Sequence, residues 1–208
     1  MQPPGETMCA RDNKTPQIPA DLPILSFQNR ADWTTWLTTN HAHSTGIWLR
    51  IAKKSSGTQS LTYQDALTSA LCYGWIDGQK KSDTRATWLQ KFTPRGKKST
   101  WSKINREKAL ALIENGQMQL AGLREIERAK SDGRWESAYD PPGRATVPAD
   151  LQAALDSSPR ALAFFQTLNG ANRYAILFRI QTAKKAETRA RRVRQFVSML
   201  ERNEKLHP

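Results

Sequence analysis

The hydrophobic pattern changes once along this chain, and that change constrains the fold more than any other feature. In GIWLRIA (46–52), aliphatic residues alternate with Trp48 and Arg50, which is typical of a β-strand. WIDGQ (75–79) and ATWLQKF (86–92) are further short strand candidates, and the polar KKSDTR between them predicts a hairpin. Later segments have helical spacing. Strands early and helices late predict an α+β fold, with a small, mainly antiparallel sheet, packed helices and a C-terminal helical region.

Capping residues mark where the helices begin and end. Asn29 can cap a helix with Asp32 three residues on, and Thr62 followed by Asp65 resembles a capping box. Gly74 is placed to end the second helix, because glycine adopts the left-handed conformation at low cost. The later helices are predicted at 102–115, 119–132, 148–157, 159–168, from near Asn172, and at 186–202.

Three units follow from these patterns. The first 23 residues are polar and proline-rich, and we interpret residues 1–23 as a flexible leader. The proline-rich loop at 135–148 is the predicted boundary between an α+β domain at 24–140 and a helical subdomain at 148–208, packed on it.

The composition excludes several classes of protein. With 32 Lys and Arg against 19 Asp and Glu, the formal charge is +13. No apolar run approaches the roughly 20 residues of a membrane span, which predicts no membrane insertion. No signal peptide opens the chain, and Cys9 and Cys72 form no CxxC motif, so we expect a cytoplasmic protein. The sequence does not indicate an oligomeric state.

Residues 79–108 form the most basic stretch. They contain ten Lys and Arg against two acids, with aromatic residues interleaved. Basic groups attract anions and aromatic faces can stack on rings, which favours a nucleic-acid or other anionic partner. The alternative is an aromatic core beneath a solvated charged face.

Asp77 is the main candidate for chemistry. It lies in the apolar Trp75-Ile76-Asp77-Gly78, where a carboxylate needs a partner or a function. It can act as a general acid/base or bind a cation. Alternatively, it forms a buried ion pair with Arg85 or Arg95, or a turn.

Further polar and aromatic residues are candidates for the same pocket. Tyr73 and Tyr174 are candidate catalytic hydroxyls beside Asp77. Arg–aromatic pairs can line a pocket, but they can equally clamp the two subdomains together. The candidate substrate-binding residues are Trp75, Thr93, Arg95, Trp101, Asn105, Arg134, Trp135, Asn172 and Arg173.

No motif indicates a metal or cofactor. His41 and His43 lack the spacing of a known metal site, and Cys72 fits a small core residue better than a nucleophile. No GxSxG, GxGxxG or P-loop pattern is present. We therefore predict no metal and no cofactor.

Four ordered segments carry a family resemblance: LTYQDALTSALCYGWIDGQKKS, LQKFTPRGKKSTWSKIN, GLREIERAKSDGRWESAY and NRYAILFRIQTAKKAETRARRVRQFVSMLERNEKLHP. Over residues 27–208, the chain resembles the YdeI/OmpD-associated, or bacteriocin-protection, family. That resemblance implies a protection phenotype without an established cofactor, and it brings no catalytic residues to transfer. It supports the fold and leaves the reaction open.

Two functions remain open at this point. The first is a small-molecule pocket performing cofactor-independent acid/base chemistry (isomerisation, cyclisation, hydrolysis or dehydration) with Asp77 as the acid/base. There, Arg95 and Arg173 would hold an anion between tryptophan walls. The second is a basic stress or protection protein that binds nucleic acid or an acidic partner without catalysis.

Overall fold

A computed structural model describes residues 22–208. The predicted leader at 1–23 lies outside the described residues except for Leu22 and Pro23.

Four strands form one mixed sheet: β1 (Ile24–Ser26), β2 (Ile47–Ala52), β3 (Trp75–Ser82) and β4 (Thr87–Pro94). Their order is β1-β2-β4-β3, with β1 parallel to β2 and the other pairs antiparallel. The predicted sheet and hairpin are confirmed, and both hairpin strands extend beyond their predicted ends. Strand β1 was not predicted, because three residues are too few to show an alternating pattern.

Four helices accompany the sheet: α1 (Arg30–Asn40), α2 (Tyr63–Cys72), α3 (Lys103–Glu114) and α4 (Leu120–Ser131). Asn29 Oδ1 accepts the Asp32 amide at 3.0 Å, and Thr62 caps α2 as predicted. Gly74 has φ +73° directly after α2, where a side chain would meet the Ala121 carbonyl. It therefore turns the chain from α2 into β3.

Tryptophan dominates the core of this part of the chain. Trp33 stacks on Trp36 at 5.3 Å between centroids and lies 5.8 Å from Phe92. Trp75 is fully buried and donates its indole N–H to the His41 carbonyl at 3.1 Å. Trp75 is therefore a satisfied core residue beneath α1.

Four helices form the C-terminal region: α5 (Ala149–Asp156), α6 (Pro159–Thr167), α7 (Gly170–Gln181) and α8 (Ala186–Glu201). The predicted helical C-terminal region is confirmed. Helix α7, predicted from near Asn172, begins at Gly170, and Asn169 Oδ1 caps it by accepting the Asn172 amide at 2.9 Å. These helices enclose a second core of leucine, isoleucine, valine, alanine and phenylalanine.

Asp140 joins the two cores. Its Oδ2 accepts from Lys103 Nζ on α3 at 2.9 Å and from Gln181 Nε2 on α7 at 3.0 Å. Its backbone carbonyl accepts the Tyr174 hydroxyl at 3.0 Å. One side chain thus holds the start of α3 against the end of α7.

Candidate functional site

Asp77 accepts a hydrogen bond from a residue of the neighbouring helix. The hydroxyl of Tyr63, at the start of α2, donates to Asp77 Oδ2 at 2.7 Å. This hydroxyl is its partner in place of the ion pair with Arg85 or Arg95 that the sequence left open. Burial and the neighbouring carboxylate raise the pKa of Tyr63, so the hydroxyl stays protonated at neutral pH.

A β-bulge follows Asp77 directly. Asp77 pairs with Phe92, and Lys80 pairs with Gln90, so β3 has one residue more than β4 over this interval. Gln90 is buried and donates its Nε2 to the Gly78 carbonyl at 2.8 Å. Because Phe92 and Gln90 share a face of β4, the bulge places Lys80 on the same face as Asp77.

That face borders a groove of about 500 Å³ between the hairpin and the segment before α2. Tyr63 and Trp88 form aromatic walls, with ring centroids 6.1 Å apart. Lys53, Lys54 and Lys80 lie along it, and we refer to it as the lysine groove. It adjoins a second groove of about 600 Å³ that shares these lysines and Trp88 and adds Lys81 and Ser82.

Two of the three ammonium groups in the lysine groove contact neutral partners. Lys80 Nζ lies 4.3 Å from the centroid of the Trp88 ring, a cation–π geometry. Lys53 Nζ donates to the Thr84 carbonyl at 3.0 Å. Lys54 is exposed. Among the described residues that line the groove, none is acidic.

Four predicted site residues do come together, but in the protein interior. Arg95 lies with its guanidinium carbon 3.5 Å from the centroid of Trp101, and Trp101 meets Trp135 edge-on at 4.8 Å. Arg134 contacts the loop between β4 and α3, where it donates to the Ser99 carbonyl at 2.8 Å. Arg95 and Arg134 are only 4% and 2% exposed.

This arginine–tryptophan cluster is electrostatically unusual. Burial lowers the pKa of Arg95 to about 10, against the opposing effects of Glu125, Tyr139 and Asp77. Burial raises the pKa of Glu125, although three neighbouring arginines act in the opposite direction. Within residues 22–208, Arg95 Nη2, Arg134 Nη2 and Trp101 Nε1 are buried without a hydrogen-bond partner. The cluster is closed off in this structure, since each of these atoms is inaccessible.

The two predicted tyrosines lie elsewhere. The Tyr73 hydroxyl bonds Thr38 Oγ1 at 2.7 Å beside a separate cleft between α1 and α2. Tyr174 bonds Asp140 where the two cores meet. The structure therefore brings neither hydroxyl to Asp77, whose hydroxyl partner is Tyr63.

The remaining predicted binding residues are also dispersed. Asn172 is buried and bonds the His207 backbone, while Arg173 donates to the Gln166 carbonyl at 3.1 Å. Thr93 pairs with Ile76 and lies on the opposite face of the sheet from Asp77. Asn105 is in the first turn of α3, where its amide donates to the Ser102 cap.

Sequence reasoning missed Tyr63, Lys53 and Lys54. Tyr63 follows the Thr62 cap and reads as an ordinary helix start, and the two lysines read as a turn after β2. Lys80 and Trp88 belong to the basic, aromatic stretch at 79–108, but no local sequence feature distinguishes them from its other residues. The sequence signal for this site was the basic, aromatic stretch itself. That stretch does not indicate that the segment before α2 packs beside it.

Residues 22–208 contain neither a metal-binding group of side chains nor a helix that could span a membrane. No set of three or more His, Cys, Asp or Glu residues there is grouped closely enough to hold a metal ion. In the same part of the chain, no helix combines the length and hydrophobicity needed to cross a membrane.

The two regions match different family models. Residues 144–203 match "Bacteriocin-protection, YdeI or OmpD-Associated", and residues 25–125 match a domain of unknown function, DUF8412. No curated protein and no solved structure matched the chain. The resemblance is confirmed for the helical region, while Asp77 and the lysine groove lie in the segment whose model carries no function.

Proposed function

Because the bacteriocin-protection, YdeI or OmpD-associated model that residues 144–203 match assigns no reaction, we propose a function from the other region. The lysine groove binds a small anionic molecule, and Asp77, held by Tyr63, performs cofactor-independent acid/base chemistry on it. Isomerisation, cyclisation, hydrolysis and dehydration are the reactions in scope. The observation that carries this proposal is the hydrogen bond to Asp77 from Tyr63, a residue that lines the groove.

The size and lining of the groove support a small ligand. At about 500 Å³ it lies within the roughly 300–1,000 Å³ typical of small-molecule sites. Tyr63 and Trp88 supply apolar wall, and the lysines supply positive charge at the rim. A ligand with a negative group and an apolar or ring portion complements both.

The chemistry assigned to each group follows from its charge. As a carboxylate, Asp77 can accept a proton from an acidic C–H or O–H of the ligand and return it elsewhere. Lys80 is on the same face and can stabilise negative charge that develops as the proton leaves. Tyr63 is the positioning residue, because its protonated hydroxyl fixes one oxygen of the carboxylate.

Hydrogen exchange tests acid/base chemistry without knowledge of the product. Small carboxylates, carbonyl compounds and phosphate esters are screened for shifts in thermal unfolding, and those that bind are incubated with the protein in D₂O. We expect NMR to show deuterium entering one C–H position, at a rate lowered about 100-fold or more by Asp77→Asn. Tyr63→Phe should lower the rate less, and the matched Asp156→Asn, on the exposed end of α5, should leave it unchanged.

Two results would overturn the proposal. One is exchange at the same rate in the native protein and in Asp77→Asn. The other is a screen in which no ligand loses binding when Lys80 is replaced by Gln.

A second candidate function is binding of nucleic acid or an acidic partner without catalysis. The observation that favours it is the continuation of the groove past Lys81, in a chain of charge +13. Affinity for an oligonucleotide should then fall with salt by about one log unit per log unit of salt for each phosphate neutralised. Affinity that is constant from low to moderate salt would exclude this candidate.

A further inference from the structure

Three lysines that border one groove take no part in the ion pairs of the described residues. In the described residues, eight ion pairs join basic side chains to carboxylates, such as Arg50 with Asp83 and Arg189 with Asp150. None of these eight involves Lys53, Lys54 or Lys80. Where these lysines are held, the partner is a carbonyl or an indole ring. Neutral partners orient an ammonium group without cancelling its charge.

Three uncompensated charges around one groove set the charge of the ligand. A single carboxylate would neutralise only one of them. A phosphate monoester carries about −1.5 to −2 at neutral pH, and a diphosphate carries more. Lysine ammonium groups act as compact point charges with several donors, which suits phosphate oxygens that approach from different directions.

The rest of the lining fits the neutral part of such a molecule. The segment before α2 contributes Thr58 and Gln59, which offer a hydroxyl and an amide group. Tyr63 and Trp88 contribute apolar surface. The groove therefore offers lysines for the phosphate, polar groups for the polar part of the ligand and aromatic rings for its apolar part.

We infer that the lysine groove takes a small phosphorylated molecule whose phosphate groups carry two or more negative charges. The inference rests on the proposed function, because it names the ligand class of the same groove. A small ligand is favoured over a nucleic-acid strand because the groove holds only about 500 Å³ and is bordered by α2 at Tyr63.

Inorganic pyrophosphate is the probe, measured by calorimetry at low and moderate salt. The test variant is Lys54→Gln/Lys80→Gln, and the control is Lys97→Gln/Lys98→Gln, which removes the same charge from an exposed loop. We expect the groove variant to weaken pyrophosphate binding by about tenfold or more, and the control by about twofold at most. Thermal unfolding of each variant confirms that it is folded.

Equal weakening in the two double variants would overturn the inference, because net charge alone would then explain binding. So would a protein that binds a short oligonucleotide but not pyrophosphate, which would assign the groove to nucleic acid. Asp77→Asn should retain pyrophosphate binding. Loss of its deuterium exchange together with retained pyrophosphate binding supports both proposals, whereas exchange on an unphosphorylated ligand without pyrophosphate binding overturns this one alone.

Discussion

The two cores of this protein are built from different residues. All seven tryptophans precede residue 136, and four of them are buried in the first core. The second core has none and is aliphatic apart from Phe165 and Phe196. An aliphatic helical core needs only complementary apolar faces. The first core also encloses Arg95 and Arg134, and these buried polar groups require specific partners.

Ion pairs hold cations in both regions, but the lysines of the groove take no part in them. Arg50 pairs with Asp83 near the hairpin, and Arg189 pairs with Asp150 in the helical region. In the lysine groove, Lys53 and Lys80 are held by neutral groups instead. Pairing serves stability, whereas unpaired charge is available to a ligand. This is why the ligand site we propose lies in the region matched by the domain of unknown function.

The largest expected effect is a loss of stability in the first region, caused by disturbing the packing of α4 on α2. A methyl group at Gly122 on α4 would lie 2.4 Å from the Cys72 carbonyl oxygen and 2.8 Å from that of Leu71. Gly122→Ala should therefore lower the free energy of unfolding by about 3 kcal/mol. Tryptophan fluorescence measures this in urea, because it reports only on the part of the chain before residue 136.

Gly170→Ala is the matched control, because a methyl group there would meet nothing within 4 Å. It lies at the start of α7 and should leave stability unchanged or slightly raised. If Gly122→Ala unfolds at the same urea concentration as the native protein, the close packing of α4 on α2 is contradicted.

A smaller effect is expected where the regions meet. Asp140→Ala leaves Lys103 Nζ and Gln181 Nε2 without their shared acceptor, which should cost about 2 kcal/mol. It should also separate the unfolding transition seen by fluorescence from the one seen by circular dichroism. Coincident transitions in Asp140→Ala would show that other contacts hold the two cores together. Glu204→Ala, at an exposed ion pair, is the control and should change little.

The smallest effect is a pair of opposite pH responses, one from each region. Burial raises the pKa of Glu125 above its ordinary value of 4.5, so its contribution to stability is present below that value and is lost as pH rises. Arg189 lowers the pKa of Asp150 below its ordinary 3.8, so that contribution is present above 3.8 and is lost as pH falls.

Urea midpoints between neutral and acidic pH test both carboxylates. Acidification should stabilise the native protein relative to Glu125→Gln, because only the native protein gains from protonating Glu125. Acidification should reduce the difference in urea midpoint between the native protein and Asp150→Asn, because protonation of Asp150 removes its ion pair with Arg189. If acidification shifted the urea midpoint of the native protein in the same direction relative to both variants, the opposite roles of Glu125 and Asp150 would be contradicted.

Local patterns predicted most of the secondary structure because caps and periodicity act over a few residues. Asn29 and Thr62 cap helices where expected, and the hairpin of β3 and β4 follows its polar turn. Helix α7 begins two residues before Asn172, near which it was predicted to start, and Asn169 supplies its capping oxygen. Strand β1 forms only because β2 offers it a parallel edge.

The sequence by itself determined that helices follow a small sheet, that residues 144–203 carry a recognisable family pattern, and that Asp77 in an apolar strand needs a partner. Only the tertiary structure decided that this partner is Tyr63, that a bulge turns Lys80 to the same face, and that Lys53 and Lys54 border the same groove. Each of these depends on residues distant in sequence that meet when the segment before α2 packs against the hairpin. Local propensity contains no information about that contact, so the site emerges only when the chain is folded.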